Sequence, residues 1–232
     1  MAVESGIDYL RIILSIFMLG YATYSDFKNR EINDFLWLVF AGIAVALIFF
    51  TPNMTVFLTN TGIALIIAPV VILIWRLGFF GGADAFGLIV LGVLVPEFSI
   101  SNGLITPFTT LTNSVILSTI PVFFNISRNL AALAKHQNIF EGFENEAKRN
   151  KVIAIFLGYR TKNPKFSFSL ERSNGSSKKF DFSLKNADNA EFCSSKDMWV
   201  TPGIPYMIYI ASGFIIQLIY GDIIFNFFRI LR

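Results

Sequence analysis

Cysteine and histidine are nearly missing from this chain of 232 residues, which contains one of each, Cys193 and His136. One cysteine cannot form an intrachain disulfide or build a zinc site from several thiolates. One histidine excludes histidine-rich metal clusters, and His136 stands in a polar run rather than beside a nucleophile. We therefore expect no metal site built from cysteines or histidines, and our interpretation includes no metal and no cofactor.

Charged residues are also scarce, at 15% of the chain, whereas hydrophobic residues make up 54% and include 26 Phe. The mean hydropathy is +0.59. This composition is too apolar for a soluble domain of the same length and predicts an integral membrane protein, with the lipid bilayer as a partner. The net charge of +3 is modest and no nucleic-acid motif is present, so we expect no nucleic-acid partner.

The apolar residues form six runs, each of which we interpret as a membrane helix. Pro69 and Pro121 lie inside two of these runs and predict kinks. The fourth run is short unless its helix begins in the glycine-rich turn that precedes it. The predicted helices cover residues 7–24, 35–50, 62–79, 85–95, 108–133 and 204–228.

The segment 136–196 has a different character, because it holds most of the charged residues and predicts a small soluble domain. Residues 141–151 indicate a short helix and residues 152–159 a strand. Residues 165–170 and 179–184 alternate with period two around a turn at 173–176, which predicts a hairpin. Its buried face would then carry Phe166, Phe168, Phe180 and Phe182.

Basic residues set the expected orientation, since 13 of the 19 Lys and Arg fall between Arg128 and Lys196. The odd-numbered connections are then cytoplasmic and both termini lie outside. The predicted fold class is a mainly α membrane protein: a bundle of six transmembrane helices with a small cytoplasmic α+β domain, built on an antiparallel sheet, between helices 5 and 6. The predicted segments are 1–135, 136–199 and 200–232.

Two aspartates stand where a carboxylate is costly unless it faces protein or water. Asp26 follows the first apolar run, and Asp84 follows a turn of small residues between the third and fourth runs. The predicted topology places both at the cytoplasmic face, where one can act as base and the other as acid on a water molecule. We predict Asp26 and Asp84 as a catalytic pair, supported by the loop residues Gly81, Gly82 and Ala83.

A structural role is the alternative for each aspartate. Asp84 would cap the fourth helix, whose N-terminus favours an anion, and Asp26 would cap a connection. The glycines favour function, because a chain without Cβ atoms bends sharply and admits an extended substrate backbone. Asp222 is expected about 28 Å away across the bilayer. Glu31 and Asp34 remain candidate accessory residues, although Asp34 precedes a helix and is better explained as an N-cap.

The sequence Gly81-Gly82-Ala83-Asp84 resembles the GxGD signature of membrane aspartyl proteases. Residues 25–32 (SDFKNREI) resemble the first-aspartate segment of the prepilin peptidase branch. Six helices with a polar domain before the last are most similar to the archaeal preflagellin peptidases, as are residues 197–205 and the later Gly221-Asp222. Two features depart from the wider pattern: Ala83 replaces a glycine, and Ala85-Phe86 replaces a basic neighbour of the second aspartate.

The resemblance implies an intramembrane-type aspartyl endopeptidase that removes the short basic leader of preflagellin or type IV prepilin-like precursors at the cytoplasmic face. It needs no metal, and the zinc-binding cysteines of bacterial relatives are absent, so methyltransferase activity is not expected. Glu31 and Asp34 are candidates for binding the basic leader. Two other classes stay open: a non-enzymatic ion or proton transporter that uses membrane acids, and a membrane anchor for an assembly machine.

Overall fold

The computed structural model describes residues 6–98, 104–174, 177–183, 192–193 and 195–230. By internal contacts the chain divides into two compact units, Met1–Ser118 with Pro205–Arg232, and Thr119–Ile204. The described helices are, in chain order, α1 (Gly6–Asn29), α2 (Phe35–Ile48), α3 (Met54–Ala64), α4 (Ile67–Arg76), α5 (Gly82–Leu94), α6 (Thr106–Leu117), α7 (Ile120–Ala134), α8 (Lys148–Leu157), α9 (Met207–Ile219) and α10 (Ile223–Ile230).

Three stretches are helical, long and apolar enough to cross a membrane: Gly6–Asn29, Met54–Arg76 and Thr106–Ala134. A fourth is added if α9 and the helix after it, which meet at a bend of 43°, count as one span. The other two predicted spans, α2 and α5, have 14 and 13 residues and are shorter than the roughly 20 residues that a bilayer needs. The chain is thus mainly helical with several apolar spans, and the count of six stays a prediction.

Helix α5 lies at the centre of the first unit. Its side chains are buried on nearly every face, and it packs against α1, α2, α4 and α6. Small residues allow this approach: a Cβ on Gly87 would lie 3.1 Å from the Trp37 ring, and one on Gly92 would lie 3.3 Å from Pro107. The first turn of α5, which carries Asp84, is therefore held inside the bundle.

Helices α6 and α9 make the closest helix pair of the first unit. At Gly213 an added Cβ would lie 2.8 Å from the carbonyl oxygen of Thr110. The Thr110 hydroxyl donates to Oε1 of Gln217 at 2.7 Å, and Nδ2 of Asn113 donates to the carbonyls of Gly213 and Gly221. The bond from Asn113 to Gly221 satisfies a carbonyl at the bend between α9 and α10, for which the hydrocarbon of a bilayer offers no donor.

The second unit packs α7 and α8 with a small antiparallel sheet. Trp199 is its fully buried centre: its indole N–H donates to the carbonyl of Ile139 at 2.8 Å, and its ring stacks on Phe140. One sheet has the strand order Tyr159–Thr161, Met198–Pro202, Ser167–Ser169, and a separate hairpin pairs Glu171–Asn174 with Ser177–Phe180. Together with a short pair in the first unit, the strands are β1 (Glu97–Phe98), β2 (Leu104–Ile105), β3 (Tyr159–Thr161), β4 (Ser167–Ser169), β5 (Glu171–Asn174), β6 (Ser177–Phe180) and β7 (Met198–Pro202).

The predicted domain segments 1–135, 136–199 and 200–232 were defined by whether each part was expected in the membrane or in the cytoplasm. A division by contacts does not test the membrane side, so these segments and the cytoplasmic placement of 136–199 stay predictions. The contact division itself begins the second unit at Thr119 and ends it at Ile204.

Several predicted helix boundaries were wrong. Helix α1 runs to Asn29, so Asp26 lies in its last turn and not in a connection. The third helix begins at Met54, eight residues earlier than predicted, and its break at residues 65–66 comes just before Pro69. Pro121 similarly follows the break between α6 and α7, because proline cannot donate to the carbonyl four residues earlier. The sixth predicted helix ends at Ile219.

The predicted strand at 152–159 was also wrong, since Val152 to Leu157 belong to α8 and only Tyr159 begins a strand. The predicted turn at 173–176 includes residues 175–176, which lie outside the described residues. The strands on either side of it, β5 and β6, pair with each other, but β4 pairs with β7. The four phenylalanines therefore do not share one face. Phe180 and Phe182 pack in the Trp199 core, whereas Phe166 and Phe168 contact Phe192.

Replacing Gly213 by alanine should destabilise the first unit by about 1–3 kcal/mol. The new methyl group would meet backbone atoms of Thr110 and Ser114 at 2.8 and 2.9 Å, and backbone cannot rotate away. Thermal unfolding in detergent measures the loss. Gly42→Ala is the matched control, because its Cβ would meet nothing within 4 Å. An unfolding temperature for Gly213→Ala equal to that of the control contradicts the close packing.

Glu146 should stabilise the second unit in a pH-dependent way. Partial burial raises the pKa of its carboxyl, but hydrogen bonds from Phe180 N–H, Asn150 Nδ2 and Ala147 N–H outweigh burial and hold the pKa below its usual value. The stabilisation is therefore present above the unfolded pKa of about 4.3 and is lost as the pH falls through the folded pKa.

We expect Glu146→Gln to speed amide hydrogen exchange in β6 at pH 7, with a loss of about 1 kcal/mol, and to differ less from the wild type below about pH 4. Glu144→Gln is the control, since Glu144 is exposed and bonds the nearby Gly142 N–H. The idea fails if both variants exchange at the same rate at pH 7.

Candidate active site

Asp26 continues the core-facing stripe of α1. It follows Met18 and Ala22, both fully buried, at spacings of four residues, and is itself half-buried. Its carboxylate accepts a hydrogen bond from the backbone N–H of Met207, the first residue of α9. Three residues earlier, the Thr23 hydroxyl donates to the Met207 carbonyl at 3.3 Å. The last turn of α1 is thus joined to the start of α9 at two points.

Asp84 lies in the first turn of α5 and is only 6% exposed. Its Oδ2 accepts a hydrogen bond from the Gly81 N–H at 3.0 Å, so it caps the helix, as the structural alternative expects. The N-terminus of a helix also favours a negative charge. Asp84 lies close enough to Tyr206 for its charge to act on the phenol.

Tyr206 connects the second aspartate to the same end of α9. Its ring stacks on Phe80, in the turn before α5, with centroids 5.3 Å apart. Its hydroxyl is hydrogen-bonded to Ser114 and Ser118 at the end of α6. Asp84 therefore neighbours residue 206, while Asp26 is bonded to residue 207. Each of the two predicted catalytic residues is thus linked to the start of α9, Asp26 by a hydrogen bond to the Met207 backbone and Asp84 by its charge acting on the Tyr206 phenol.

The small residues of the turn before Asp84 have different structural roles. Gly81 is extended and precedes the helix, and Gly82 packs under Trp75, where a Cβ would lie 2.9 Å from the ring. Ala83 packs against the bundle core. Gly78, at the start of the turn, has a φ of 79°, a conformation that side chains rarely adopt.

Glu31 and Asp34 lie in the short connection after α1 and are both exposed. The Ser25 hydroxyl donates to the Glu31 carbonyl at 2.8 Å, which holds this connection against the end of α1. Asp34 occupies the predicted N-cap position of α2, but the prediction that its side chain caps the helix was wrong, because that side chain makes no capping hydrogen bond. The side chain of Asn33 accepts from the Phe35 N–H instead.

Asp222 lies beyond the far end of α9, which at 13 residues is about 20 Å long. Its carboxylate accepts hydrogen bonds from the Thr112 hydroxyl and the Phe225 N–H, so it caps α10 and is remote from Asp26. Within the part of the chain that the structure describes, no three His, Cys, Asp or Glu side chains are grouped as metal ligands.

A shallow groove of about 380 Å³ opens between α1 and α9. It begins at Thr23, one helical turn before Asp26, and continues along apolar and small side chains. Its other lining residues are Gly20, Ile208, Ala211, Ser212, Ile215 and Ile216. Neither Asp26 nor Asp84 is among its lining residues.

The sequence did not identify Tyr206 and Met207. Proline is common at helix starts, and Pro202 and Pro205 stand just before α9, so a helix start here could be expected. Nothing in the local sequence indicates that this start meets α1 and α5, which are more than 100 residues away.

The two halves of the chain match two family models. Residues 13–124 match the type IV leader peptidase family, and residues 122–223 match the archaeal peptidase A24 C-terminus type II. Similar proteins include the preflagellin peptidase of Methanocaldococcus jannaschii, 25% identical over 94% of this chain and 97% of the relative. The preflagellin peptidase of Methanococcus maripaludis is 26% identical over 94% of this chain and 98% of the relative. The preflagellin peptidase of Methanococcus voltae is 26% identical over 91% of this chain and 96% of the relative.

The apolar helices and these comparisons define a membrane peptidase. The two matches together take in residues 13–223, and the chain belongs to the type IV leader peptidase family.

Adding a methyl group at Gly82 should disturb the turn that carries Asp84. In Gly82→Ala the new Cβ would lie 2.9 and 3.0 Å from two atoms of the Trp75 indole, so either the ring or the turn must move. On the prediction that Asp84 is catalytic, we expect peptidase activity to fall by about tenfold to a hundredfold, the cost of misplacing a reacting group. The rate of peptide-bond cleavage measures the effect.

Trp75→Phe removes part of the ring that the new methyl group meets and should restore most of the activity when combined with Gly82→Ala. Trp75→Phe alone is the control for other contacts of the indole. If the double variant is as slow as Gly82→Ala, the contact with Trp75 is not the cause.

Proposed function

We propose that this membrane peptidase is an aspartyl endopeptidase that removes a short basic leader from preflagellin or other type IV prepilin-like precursors. The observation that supports the proposal is that both aspartates are linked to the start of α9: Asp26 accepts from the Met207 N–H, and the charge of Asp84 acts on Tyr206. The names of the relatives support the class of substrate.

The chemistry follows from two neighbouring carboxylates in a partly buried site. Both cannot ionise at low cost, so the pair holds one proton between them. The charged carboxylate takes a proton from a water molecule, which attacks the peptide carbonyl carbon, while the protonated one donates to the carbonyl oxygen. The tetrahedral intermediate then collapses, the C–N bond breaks, and the leaving nitrogen receives a proton from the pair.

The expected orientation places this chemistry at the cytoplasmic face of a bundle with six spans, in which α2 and α5 are short spans. The concentration of Lys and Arg between Arg128 and Lys196 supports the orientation. Glu31 and Asp34 are the nearest exposed acids in sequence after Asp26, and they attract the basic residues of the leader. Their role is electrostatic and should weaken with salt.

A second candidate function has one observation in its favour. Buried polar side chains of α6, including Thr110, Asn113 and Ser114, form a seam with Gln217 of α9. The seam runs from Tyr206 toward Asp222, which is what a proton or ion path requires. In that case Asp222 would be essential and the pair at the start of α9 would be one end of the path.

Asp26→Asn and Asp84→Asn should each lower precursor cleavage by about 10²–10⁴-fold. Asparagine keeps the shape and the acceptor oxygen for the Met207 or Gly81 N–H, but it cannot exchange a proton with water. The assay incubates the detergent-solubilised protein with a leader-bearing precursor and follows the size shift. Thermal unfolding confirms that each variant is folded.

Asp222→Asn is the matched control, because it makes the same substitution at the other end of α9 and should leave cleavage unchanged. Full processing by either variant of the pair rejects the aspartyl mechanism. Loss of proton flux in proteoliposomes with Asp222→Asn, without loss of cleavage by Asp26→Asn, supports the transporter instead.

A further inference from the structure

Helix α8 is fixed to α7 through its C-terminal end. Nδ2 of Asn125 donates to the carbonyl of Phe156 at 3.2 Å, and Nδ2 of Asn129 donates to the carbonyls of Ile155 and Gly158 at 3.0 and 2.7 Å. Both asparagines are 2% exposed. They satisfy the carbonyls that a helix leaves open at its end, so the last turn of α8 lies at the level of residues 125–129.

That level coincides with the end of a membrane span. Thr106–Ala134 has 29 residues and a length of about 43 Å, whereas the hydrocarbon core of a bilayer is about 30 Å thick. Arg128 is its one charged residue, and the Arg128 guanidinium lies 3.8 Å over the ring of Tyr159. Arginine and tyrosine are both typical of the boundary between hydrocarbon and headgroups. We therefore expect the C-terminal end of α8 to lie at the membrane surface.

The outer face of α8 combines apolar and basic side chains. Val152, Phe156 and Leu157 are 53%, 45% and 41% exposed, while Ala154 on the opposite face is fully buried. Lys148 and Arg149 are exposed in the first turn, and Lys151 follows them. The C-terminal end of α8 is thus apolar and is expected to lie level with the boundary between hydrocarbon and headgroups, whereas its N-terminal end is basic. This pattern is typical of a helix that binds a membrane surface.

Lys148 and Arg149 are not neutralised by the described part of the unit to which they belong, whereas Lys151 lies near Glu144, whose carbonyl its Nζ contacts at 3.5 Å. Among the described residues, the ion pairs of the second unit join Arg160 to Glu141 and Asp197, and Lys178 to Glu171. Lys148 and Arg149 take part in none of these pairs. Basic groups beside an apolar surface at this depth attract the phosphates of anionic lipids.

We propose that α8 is an interfacial helix, whose apolar end inserts between lipids and whose Lys148, Arg149 and Lys151 bind the headgroups of anionic phospholipids. An acidic protein would match the charges but leave Val152 and Phe156 without an apolar environment. The lipid surface matches both features. Through α8 the second unit gains a contact with the bilayer besides that of α7, independently of the peptidase chemistry.

The test uses the full chain with Cys193→Ser and a single new cysteine, Phe156→Cys, labelled with an environment-sensitive fluorophore. The protein is placed in phosphatidylcholine vesicles with or without an equal part of phosphatidylglycerol, and lipids with spin-labelled chains act as quenchers. We expect at least about twofold stronger quenching with phosphatidylglycerol, and loss of this gain at high salt. Asn163→Cys, at an exposed site on the β3–β4 connection, is the control and should not be quenched.

The variant Lys148→Gln/Arg149→Gln/Lys151→Gln, made in the labelled chain, should abolish the gain from phosphatidylglycerol. Its precursor cleavage and unfolding temperature report that the chain is folded, and Val152→Cys gives a second labelled position. Quenching that is equal in both vesicles, or unchanged by the triple substitution, overturns the binding of anionic headgroups. A label as unquenched as Asn163→Cys overturns the interfacial position and leaves an acidic protein as the partner.

Discussion

The start of α9 is the point on which the arrangement of the site depends. A helix N-terminus offers backbone N–H groups that need acceptors, and a carboxylate inside a bundle needs donors. The Met207 N–H and the Asp26 carboxylate meet both needs at once, and the Thr23 hydroxyl secures the Met207 carbonyl. Tyr206 occupies the preceding position, and its phenol, which stacks on Phe80 and is bonded to Ser114 and Ser118, lies within range of the charge of Asp84. One helix start, supplied from the end of the chain, thus organises two aspartates from its first half.

Close approach of helix backbones stabilises this arrangement in a membrane protein. Lipid supplies little hydrophobic drive for helices to associate, so packing and hydrogen bonds between helices must hold them together. Gly213 lets α9 lie against α6, and Gly87 lets α5 lie under Trp37. The bonds of Asn113 and Gln217 then add directional contacts within the same interface. This close packing of α9 against α6 holds the first residues of α9 in position for their contacts with the aspartates.

The sequence predicted the features that depend on local pattern. The apolar runs gave the helices, and the small-residue turn before Asp84 together with the acid after the first run gave the two aspartates. The C-terminal extension of α1 was missed because polar residues from Ser25 to Asn29 read as loop, although they continue the buried stripe at Asp26.

Features that depend on distant partners were not predicted. The short apolar run at Val152 fits a strand or a helix equally well. The structure has a helix there, and the carbonyls at its C-terminal end accept hydrogen bonds from Asn125 and Asn129 of α7. Likewise β4 pairs with a strand about thirty residues later, so alternation alone could not give its partner. Tyr206 belongs to the same class, since its neighbours come from α5 and α6.

The capping role of Asp84 does not compete with a catalytic one. An ionised carboxylate has two oxygens and about four acceptor sites, and the Gly81 N–H occupies one site on Oδ2. Asp26 likewise accepts from a single backbone donor at Met207. A fixed N–H restricts the rotation of each side chain, which is what a catalytic group requires before substrate arrives. The structural explanation of each aspartate is therefore compatible with the proposed catalytic role, because the same contacts would hold the two carboxylates ready for water and a peptide.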